Sequence, residues 1–148
     1  MLIQANALTQ AMNENDWLFP AAECVHIASF ALAIGTIALA DLSLLGVGLR
    51  RNVAAQITRS TSLWTLTGLV LIIFTGFMLF ASDPDMYLRN SSFRFKITAL
   101  VLAIVFNYTI HRKVALSEGS GIFAKLVACV SLALWISVVF GGLFIAFV

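Results

Sequence analysis

Residues 17–49 decide the fold and read WLFPAAECVHIASFALAIGTIALADLSLLGVGL. This run exceeds the roughly 20 apolar residues that an α-helix needs to cross a hydrocarbon core. Its ionisable side chains Glu23, His26 and Asp41 share one helical face, since successive residues turn by about 100°. Ionisable groups within a membrane span cost roughly 2.5–3.5 kcal/mol each, so they normally face a partner or a cavity. The run predicts a membrane helix with one polar stripe.

The composition extends this prediction to the whole chain of 148 residues. Hydrophobic residues make up 61% of it and charged residues 11%, so much apolar surface would stay exposed in water. A net charge of +2 without a basic tract gives no indication of nucleic-acid binding. Four apolar stretches are long enough to span a membrane, namely residues 19–49, 63–81, 93–110 and 122–148.

These four stretches predict a bundle of helices. Each is continuously apolar, without the alternation of a membrane β-barrel, so each must satisfy its own backbone as a helix. The connecting segments are about a dozen residues long, which favours antiparallel neighbours. We therefore expect an all-α, integral membrane four-helix bundle in up-down-up-down order, with residues 1–148 forming one domain in the lipid bilayer.

Basic residues indicate how the bundle lies in the membrane, because short cytoplasmic loops are enriched in Lys and Arg. The larger group of basic residues is Arg50, Arg51, Arg59, Arg112, Lys113 and Lys125, and the smaller group on the opposite side is Arg89, Arg94 and Lys96. This difference predicts that both termini lie outside. Residues 1–16 then form a polar outer segment, and we expect a multi-pass protein of the bacterial inner (cytoplasmic) membrane.

The third apolar stretch has a polar face of its own, which carries Lys96, Asn107 and His111. Depth along the helix axes predicts an ion pair between Glu23 and Lys96 near the outer side. Asp41 lies deeper, and we expect it in a buried polar network. Its candidate partners are Asn107, Ser131, the Trp135 indole, Thr65 and Thr67.

Glu23 and His26 form a Glu-x-x-His step, which in di-iron bundles presents a carboxylate and an imidazole to one metal. The step occurs once, so we do not expect a complete di-iron centre. Met78 adds a thioether near the outer side, and sulfur with imidazole suits Cu(I) or haem iron. His111 is a second haem candidate, but it lies on the order of 20 Å from His26 along the axis. Haem b, copper and the absence of any cofactor all stay open.

Several short motifs are distributed along nearly the whole chain. They are Phe19-Pro20 with Glu23 and His26, Asp41-Leu42, Thr75-Gly76, Tyr87 with Asn90, Phe93 with Lys96, Asn107, His111 and Leu134-Trp135. With them the chain resembles an uncharacterised family, a domain of unknown function, of short four-helix bacterial membrane proteins. More distantly it is similar to the copper-resistance protein D family and to small b-type membrane cytochromes. The distant resemblances imply copper handling or haem-linked electron transfer.

Three functions are compatible with these patterns. The first, which we favour, is non-enzymatic handling of a metal or haem at the outer face by Glu23, His26 and Met78, together with a membrane or periplasmic partner. The second is a structural accessory subunit of a larger complex, in which the polar groups only orient helices. The third is a proton relay along the ionisable groups of the first and third stretches. No nucleophile elbow, phosphate loop or zinc signature occurs, so we expect no enzymatic activity from the chain alone.

Overall fold

A computed structural model describes residues 7–48, 53–117 and 121–147, and no strand occurs among them. In chain order the α-helices are α1 (Ala7–Glu14), α2 (Leu18–Leu45), α3 (Ala54–Ser60), α4 (Ser62–Ser82), α5 (Pro84–Arg89), α6 (Ser91–Phe106), α7 (Arg112–Leu116) and α8 (Ile122–Leu143). A π-helical segment at Asn107–His111 joins α6 to α7, and a 3₁₀ turn at Phe144–Phe147 follows α8. The predicted all-α fold is confirmed.

Four helical stretches are long and apolar enough to cross a membrane. They are α2, α4, α8 and the continuous helix Ser91–Leu116, which includes α6, the π-helical segment and α7. The third span therefore extends past the predicted limit at residue 110. The helix continues through Arg112 and Lys113 and ends at Leu116.

The first span is shorter than predicted, because Gly46 ends α2. Gly46 adopts a left-handed conformation with φ of 76°, and the Val47 N–H donates to the Leu42 carbonyl at 3.0 Å. Glycine adopts this conformation without the steric cost of a Cβ atom, which makes it the usual residue just past a helix. The predicted limits at residues 49 and 148, and the basic pair Arg50 and Arg51, lie outside the described residues.

The end of the bundle that carries α1, α5 and the 3₁₀ turn is called the terminal end. Helix α1 covers it: Met12 is 2% exposed, and the Asn13 amide donates to the Ser82 carbonyl at 3.1 Å. The Asp83 carboxylate caps α5 by accepting the Met86 N–H at 3.0 Å. The Asn90 side chain caps α6 and donates to the Ile145 carbonyl at 2.9 Å, which ties the C-terminal turn to the bundle.

The opposite end carries α3, α7 and the start of α8, and is called the basic end. Its described basic residues are Arg59, Arg112, Lys113 and Lys125. Helix α2 packs against α4 and α8, and α6 packs against α8, so α2 and α8 form the centre of the bundle. Between the two ends lies an apolar core of small and large side chains. It comprises Ala33, Ile37, Leu69, Ile72, Ala99, Leu100, Ala103, Trp135 and Val138.

Helices α2 and α4 approach each other closely at Gly68. A Cβ atom at Gly68 would lie 3.0 Å from the Ala33 Cβ, 3.0 Å from the Ala33 backbone nitrogen and 3.0 Å from the Ser29 carbonyl oxygen. Two of these atoms belong to the backbone of α2, so a side chain would push the helices apart. Small residues allow such contacts between membrane helices, where dispersion forces depend on close approach.

We expect Gly68→Leu to destabilise the bundle by about 1–3 kcal/mol, because the added side chain overpacks the contact with α2. Gly35→Leu is the matched control, since Gly35 is exposed and a Cβ atom there would meet nothing within 4 Å. Thermal unfolding of the two purified variants in mild detergent measures the difference. Equal unfolding temperatures for both variants would contradict the close approach at Gly68.

Candidate functional site

A buried polar cluster joins three spans near the basic end. The Asp41 Oδ1 atom lies 2.7 Å from the His111 Nε2 atom, and the Ser131 hydroxyl donates to Asp41 Oδ2 at 2.7 Å. Asp41 is 0%, Ser131 1% and His111 2% exposed. A fully buried carboxylate needs such partners, because its desolvation costs several kcal/mol even after the protein relaxes.

Helix geometry brings these side chains to one depth. Asp41 lies four residues before the end of α2 at Leu45, and His111 lies five residues before the end of α7 at Leu116. From the sequence, His111 was expected at the membrane surface, because the third span was predicted to end at residue 110. The longer span places His111 beside Asp41, whereas the sequence analysis named His111 as a second haem candidate.

The π-helical segment Asn107–His111 orients the imidazole. The Arg112 N–H donates to the Asn107 carbonyl, a bond that spans five residues in place of the four of an α-helix. The inserted residue shifts the register of everything that follows, and both Asn107 and His111 are buried. Short π-helical turns are less stable than α-helix and occur frequently at functional sites.

Asp41 and His111 form a closed pair. The Oδ1 and Nε2 atoms lie 2.7 Å apart, and among the described residues neither atom makes a hydrogen bond of good geometry, so the contact is one of close approach between ionisable groups. Groups this close bind protons as a unit. The pair is neutral as carboxylate with imidazolium, positive with one more proton and negative with one fewer. Its proton content therefore sets the charge at the centre of three helices.

A small polar cavity adjoins the imidazole and has a volume of about 30 Å³. Its polar lining is Thr36, Thr58, Thr61, Ser62, Thr65, Asn107, His111 and Arg112. The Thr36 and Thr65 hydroxyl oxygens lie 2.8 Å apart and join α2 to α4 at its edge. Asn107, predicted as a partner of Asp41, is 6% exposed and lines this cavity.

No hydrogen bond among the described residues joins Asp41 to Trp135, another of its predicted partners. Trp135 is 1% exposed and belongs to the apolar core with Ile37, Leu69 and Val138. The indole therefore closes the polar cluster off from the middle of the bundle. Thr67, also considered for Asp41, is exposed on the outer face of α4.

His26 lies in a second polar group, toward the terminal end. Its Nδ1 atom is 2.8 Å from the Thr75 hydroxyl oxygen, and that hydroxyl donates to the Leu71 carbonyl at 2.6 Å. A hydroxyl has one hydrogen, so Thr75 accepts and His26 donates from Nδ1. The imidazole also contacts the Phe30 ring at a centroid distance of 5.4 Å, and a Cβ atom at Gly76 would lie 3.2 Å from its Cε1 atom.

The predicted ion pair between Glu23 and Lys96 is not formed. Glu23 is exposed, whereas the Lys96 ammonium turns inward and lies 5.2 Å from the centroid of the Phe30 ring. The aromatic face attracts the cation in place of a carboxylate. Burial first, and then the carboxylates of Glu23 and Asp83, raise the pKa of the Tyr87 phenol above its usual value.

Two glycines of α8 make room for Lys96. A Cβ atom at Gly141 would lie 3.0 Å from the Lys96 Cβ and 3.1 Å from its Cα, and one at Gly142 would lie 3.2 Å from the Nζ atom. Gly141 therefore admits the backbone of α6, and Gly142 admits the ammonium group. The side chain crosses α8 along this glycine pair to reach the Phe30 ring.

The candidate metal or haem ligands do not converge. Among the described residues, no group of three or more His, Cys, Asp or Glu side chains lies together. Glu23 is exposed while His26 is buried, and Met78 is half-buried one turn beyond Thr75. His111 lies against Asp41. The structure gives the predicted copper or haem site no support.

Comparison with known proteins places the chain in a family. The profile of a family of unknown function, DUF6644, matches residues 18–148, from the start of α2 to the last residue. The chain belongs to this family. The resemblance to an uncharacterised family is therefore confirmed, whereas the more distant resemblances to the copper-resistance protein D family and to b-type cytochromes are not shown. No curated protein and no solved structure matches the chain.

Three features of these family residues escaped the sequence analysis. The pairing of Asp41 with His111 depends on the continuation of the third helix, and the π-helical segment has no periodicity signal of its own. The Thr75 partner of His26 lies on another span, 49 positions away. The one available signal was that Thr36, Thr65 and Thr75 are hydroxyl residues in otherwise apolar spans, where such groups normally bond within or between helices.

We expect Ser131→Ala to destabilise the protein by about 1.5–3 kcal/mol, because it leaves a buried carboxylate oxygen without its donor. Ser137→Ala on the same helix is the control, since the Ser137 hydroxyl donates only to the Ala133 carbonyl of its own turn. Its expected effect is within about 0.5 kcal/mol. Denaturant titration of the purified variants in mild detergent compares them. A Ser131→Ala variant as stable as Ser137→Ala would contradict the hydrogen bond to Asp41.

Alanine substitutions at the two glycines of α8 are expected to differ in their effect on stability. Gly141→Ala places a methyl group against the backbone of α6 and is expected to cost about 1–3 kcal/mol. Gly142→Ala meets only the flexible end of Lys96, which can move, so its expected cost is below about 1 kcal/mol. Thermal unfolding in the same detergent tests this order. The reverse order of stabilities would mean that Lys96 does not cross α8 as described.

Proposed function

We propose that this membrane protein binds and releases a proton at the Asp41–His111 pair, and that the charge of this pair controls how the spans pack near the basic end. The observation that carries the proposal is the mutual pairing of a fully buried carboxylate and imidazole at 2.7 Å. Ionisable groups inside a membrane domain mark proton or ion chemistry more often than simple packing.

No other charged side chain among the described residues contacts the Asp41–His111 pair, so a proton gained or lost by the pair changes the charge inside the bundle. Ser131 is the other direct partner, and it carries no charge. The charged residues of the packed elements near this end are Arg59 of α3, Arg112 and Lys113 of α7 and Lys125 of α8, all exposed or half-buried, whereas Glu23 of α2 and Arg94 and Lys96 of α6 lie toward the terminal end. The described part of α4 contributes hydroxyl groups there and no charge. A proton gained or lost by the pair is therefore not neutralised by a second buried group.

The π-helical segment connects this charge to helix packing. His111 is its last residue, so a change in the attraction between His111 and Asp41 acts directly on a turn that is intrinsically weaker than α-helix. Attraction across a buried distance of 2.7 Å is strong, because the low dielectric of the interior screens it little. Protonation of Asp41 removes that attraction and frees the segment to change its register.

A relay across the whole membrane is not favoured. His26 lies about 22 Å from Asp41 along the axis of α2. The apolar core lies between them, with Ala33, Ile37, Ile72 and Trp135 among its members. A proton needs a chain of hydrogen-bonding groups or water, and these side chains supply none. The pair therefore serves as a proton-binding site in contact with one end.

The distribution of exposed charge supports an orientation for this site. Among the described residues the acidic side chains other than Asp41 all lie toward the terminal end. They are Glu14, Asp16, Glu23, Asp83 and Asp85. Basic residues are enriched in short cytoplasmic loops. We propose that the basic end faces the cytoplasm, which places the Asp41–His111 pair nearer to that side.

Infrared difference spectroscopy of the protein in lipid vesicles tests the function. We expect the carboxyl band of Asp41 and the ring bands of His111 to change together over the pH range in which the protein stays folded, because two groups 2.7 Å apart bind protons as a unit. Asp41→Asn should remove the carboxyl change, and His111→Gln should abolish the coupled change. Glu23→Gln, which alters an exposed carboxylate, should leave both signals in place.

Two results would contradict the proposal. Asp41 and His111 bands that stay constant over this range would mean that the pair only orients helices, as in a structural accessory subunit. A change that persists in Asp41→Asn would assign the titration to another group.

A further inference from the structure

We propose that the Asp41–His111 pair exchanges its proton with the basic end alone, through water held in the hydroxyl-lined cavity next to His111. This inference rests on the proposed proton-binding function. It adds the path by which protons reach the pair and the side of the membrane from which they come. If the basic end is cytoplasmic, the pair responds to cytoplasmic pH and is insulated from the pH on the other side.

The cavity has the size and the lining that ordered water requires. Its volume is about 30 Å³, whereas one water molecule needs about 10–15 Å³ on the same measure. Buried water is stable where it finds two to four polar partners. The hydroxyl groups of Thr36, Thr58, Thr61 and Thr65 and the Asn107 amide surround the space, so a water there has partners on several sides.

One of these groups lacks a partner in the protein. The Thr58 Oγ1 atom is buried and has no hydrogen-bond partner among the described residues. A buried hydroxyl without a partner costs roughly 1–3 kcal/mol. The other hydroxyls have protein partners: the Thr36 and Thr65 hydroxyl oxygens lie 2.8 Å from each other, the Ala33 carbonyl lies 2.8 Å from Thr36, and the Thr61 carbonyl lies 3.0 Å from Thr65. Thr58 is therefore the group that binds water at the cavity wall.

The lining also joins the pair to the surface of the basic end. His111 forms the inner wall, and half-buried Thr61, Ser62 and Arg112 lie at helix ends or beginnings on the outer side. Toward the terminal end the route is closed, because Ile37 of the cavity wall belongs to the apolar core that also contains Trp135. The polar lining therefore runs from the imidazole toward the basic end, and the apolar core lies on its other side.

The exchange itself needs only water. When the pair takes up a proton, a cavity water gives it to the imidazole or the carboxylate, and the resulting hydroxide recovers a proton from solvent at the basic end. Release runs the same steps in reverse. No net atoms besides one proton pass between solvent and the pair.

Hydrogen–deuterium exchange at the pair tests the route. Wild-type protein in lipid vesicles is diluted into heavy water, and the deuterium shift of the Asp41 and His111 infrared bands is followed over time. We expect the combined variant Thr58→Val and Thr65→Val to slow this exchange by roughly tenfold or more, because two hydroxyls that hold the water are replaced by methyl groups. Thr58→Leu, which fills the space, should slow it as well.

Thr67→Val is the matched control, because Thr67 lies on α4 with Thr65 but is exposed on the outer face. Its exchange rate should equal that of the wild type. Backbone amide exchange in the same spectra shows whether a variant is folded, and a loosened bundle would speed the exchange at the pair. In all variants the pH at which the bands change should stay close to the wild-type value, since none of these residues contacts Asp41 or His111 through an ion pair.

The outcomes separate the two proposals. Bands that change with pH while Thr58→Leu and the combined variant exchange at the wild-type rate would overturn the route and leave the proton-binding function intact. Bands that never change with pH would overturn the proton-binding function, and the route with it. Slower exchange in the cavity variants but not in Thr67→Val would support both.

Discussion

The carboxylate of Asp41 imposes the constraint on which the rest of the structure depends. It is 0% exposed inside a bundle whose outer surface is apolar, so every partner must come from the protein. Three spans supply them: the first carries Asp41 itself, the third supplies His111 and the fourth supplies Ser131. Breaking one such contact leaves a polar atom unsatisfied in a low dielectric, so the cluster specifies which helices meet and at what depth.

The terminal end of the bundle holds its buried polar groups without an ion pair among the described residues. The Lys96 side chain crosses α8 at Gly141 and Gly142, and its ammonium group lies over the Phe30 ring. His26 is satisfied by Thr75 on the neighbouring span. The terminal end thus holds its polar groups by aromatic and hydroxyl contacts, whereas the basic end holds a titratable pair. An apolar core with Trp135 at its centre keeps the two apart.

Sequence reasoning reached the architecture well and the site in part. Four continuous apolar stretches in a bilayer must satisfy their own backbones as helices, and the structure has four such helices. Ser131 was named among the candidate partners of Asp41 and is one of the two that contact it. The ion pair of Glu23 with Lys96 is not formed, because a polar stripe on a helix does not determine how far each helix is rotated about its own axis. A small rotation leaves Glu23 at the surface and turns Lys96 toward Phe30.

The sequence by itself determined the environment, the number of spans and the residues that needed partners, because hydrophobic length and the cost of burying charge are local properties of each segment. Only the tertiary structure decided that Asp41 meets His111, that His26 meets Thr75, and that a small polar cavity lies beside the imidazole. These pairings depend on the rotation and relative depth of separate helices. A π-helical turn at Asn107–His111 and a few glycines set both, through contacts between residues far apart in the chain.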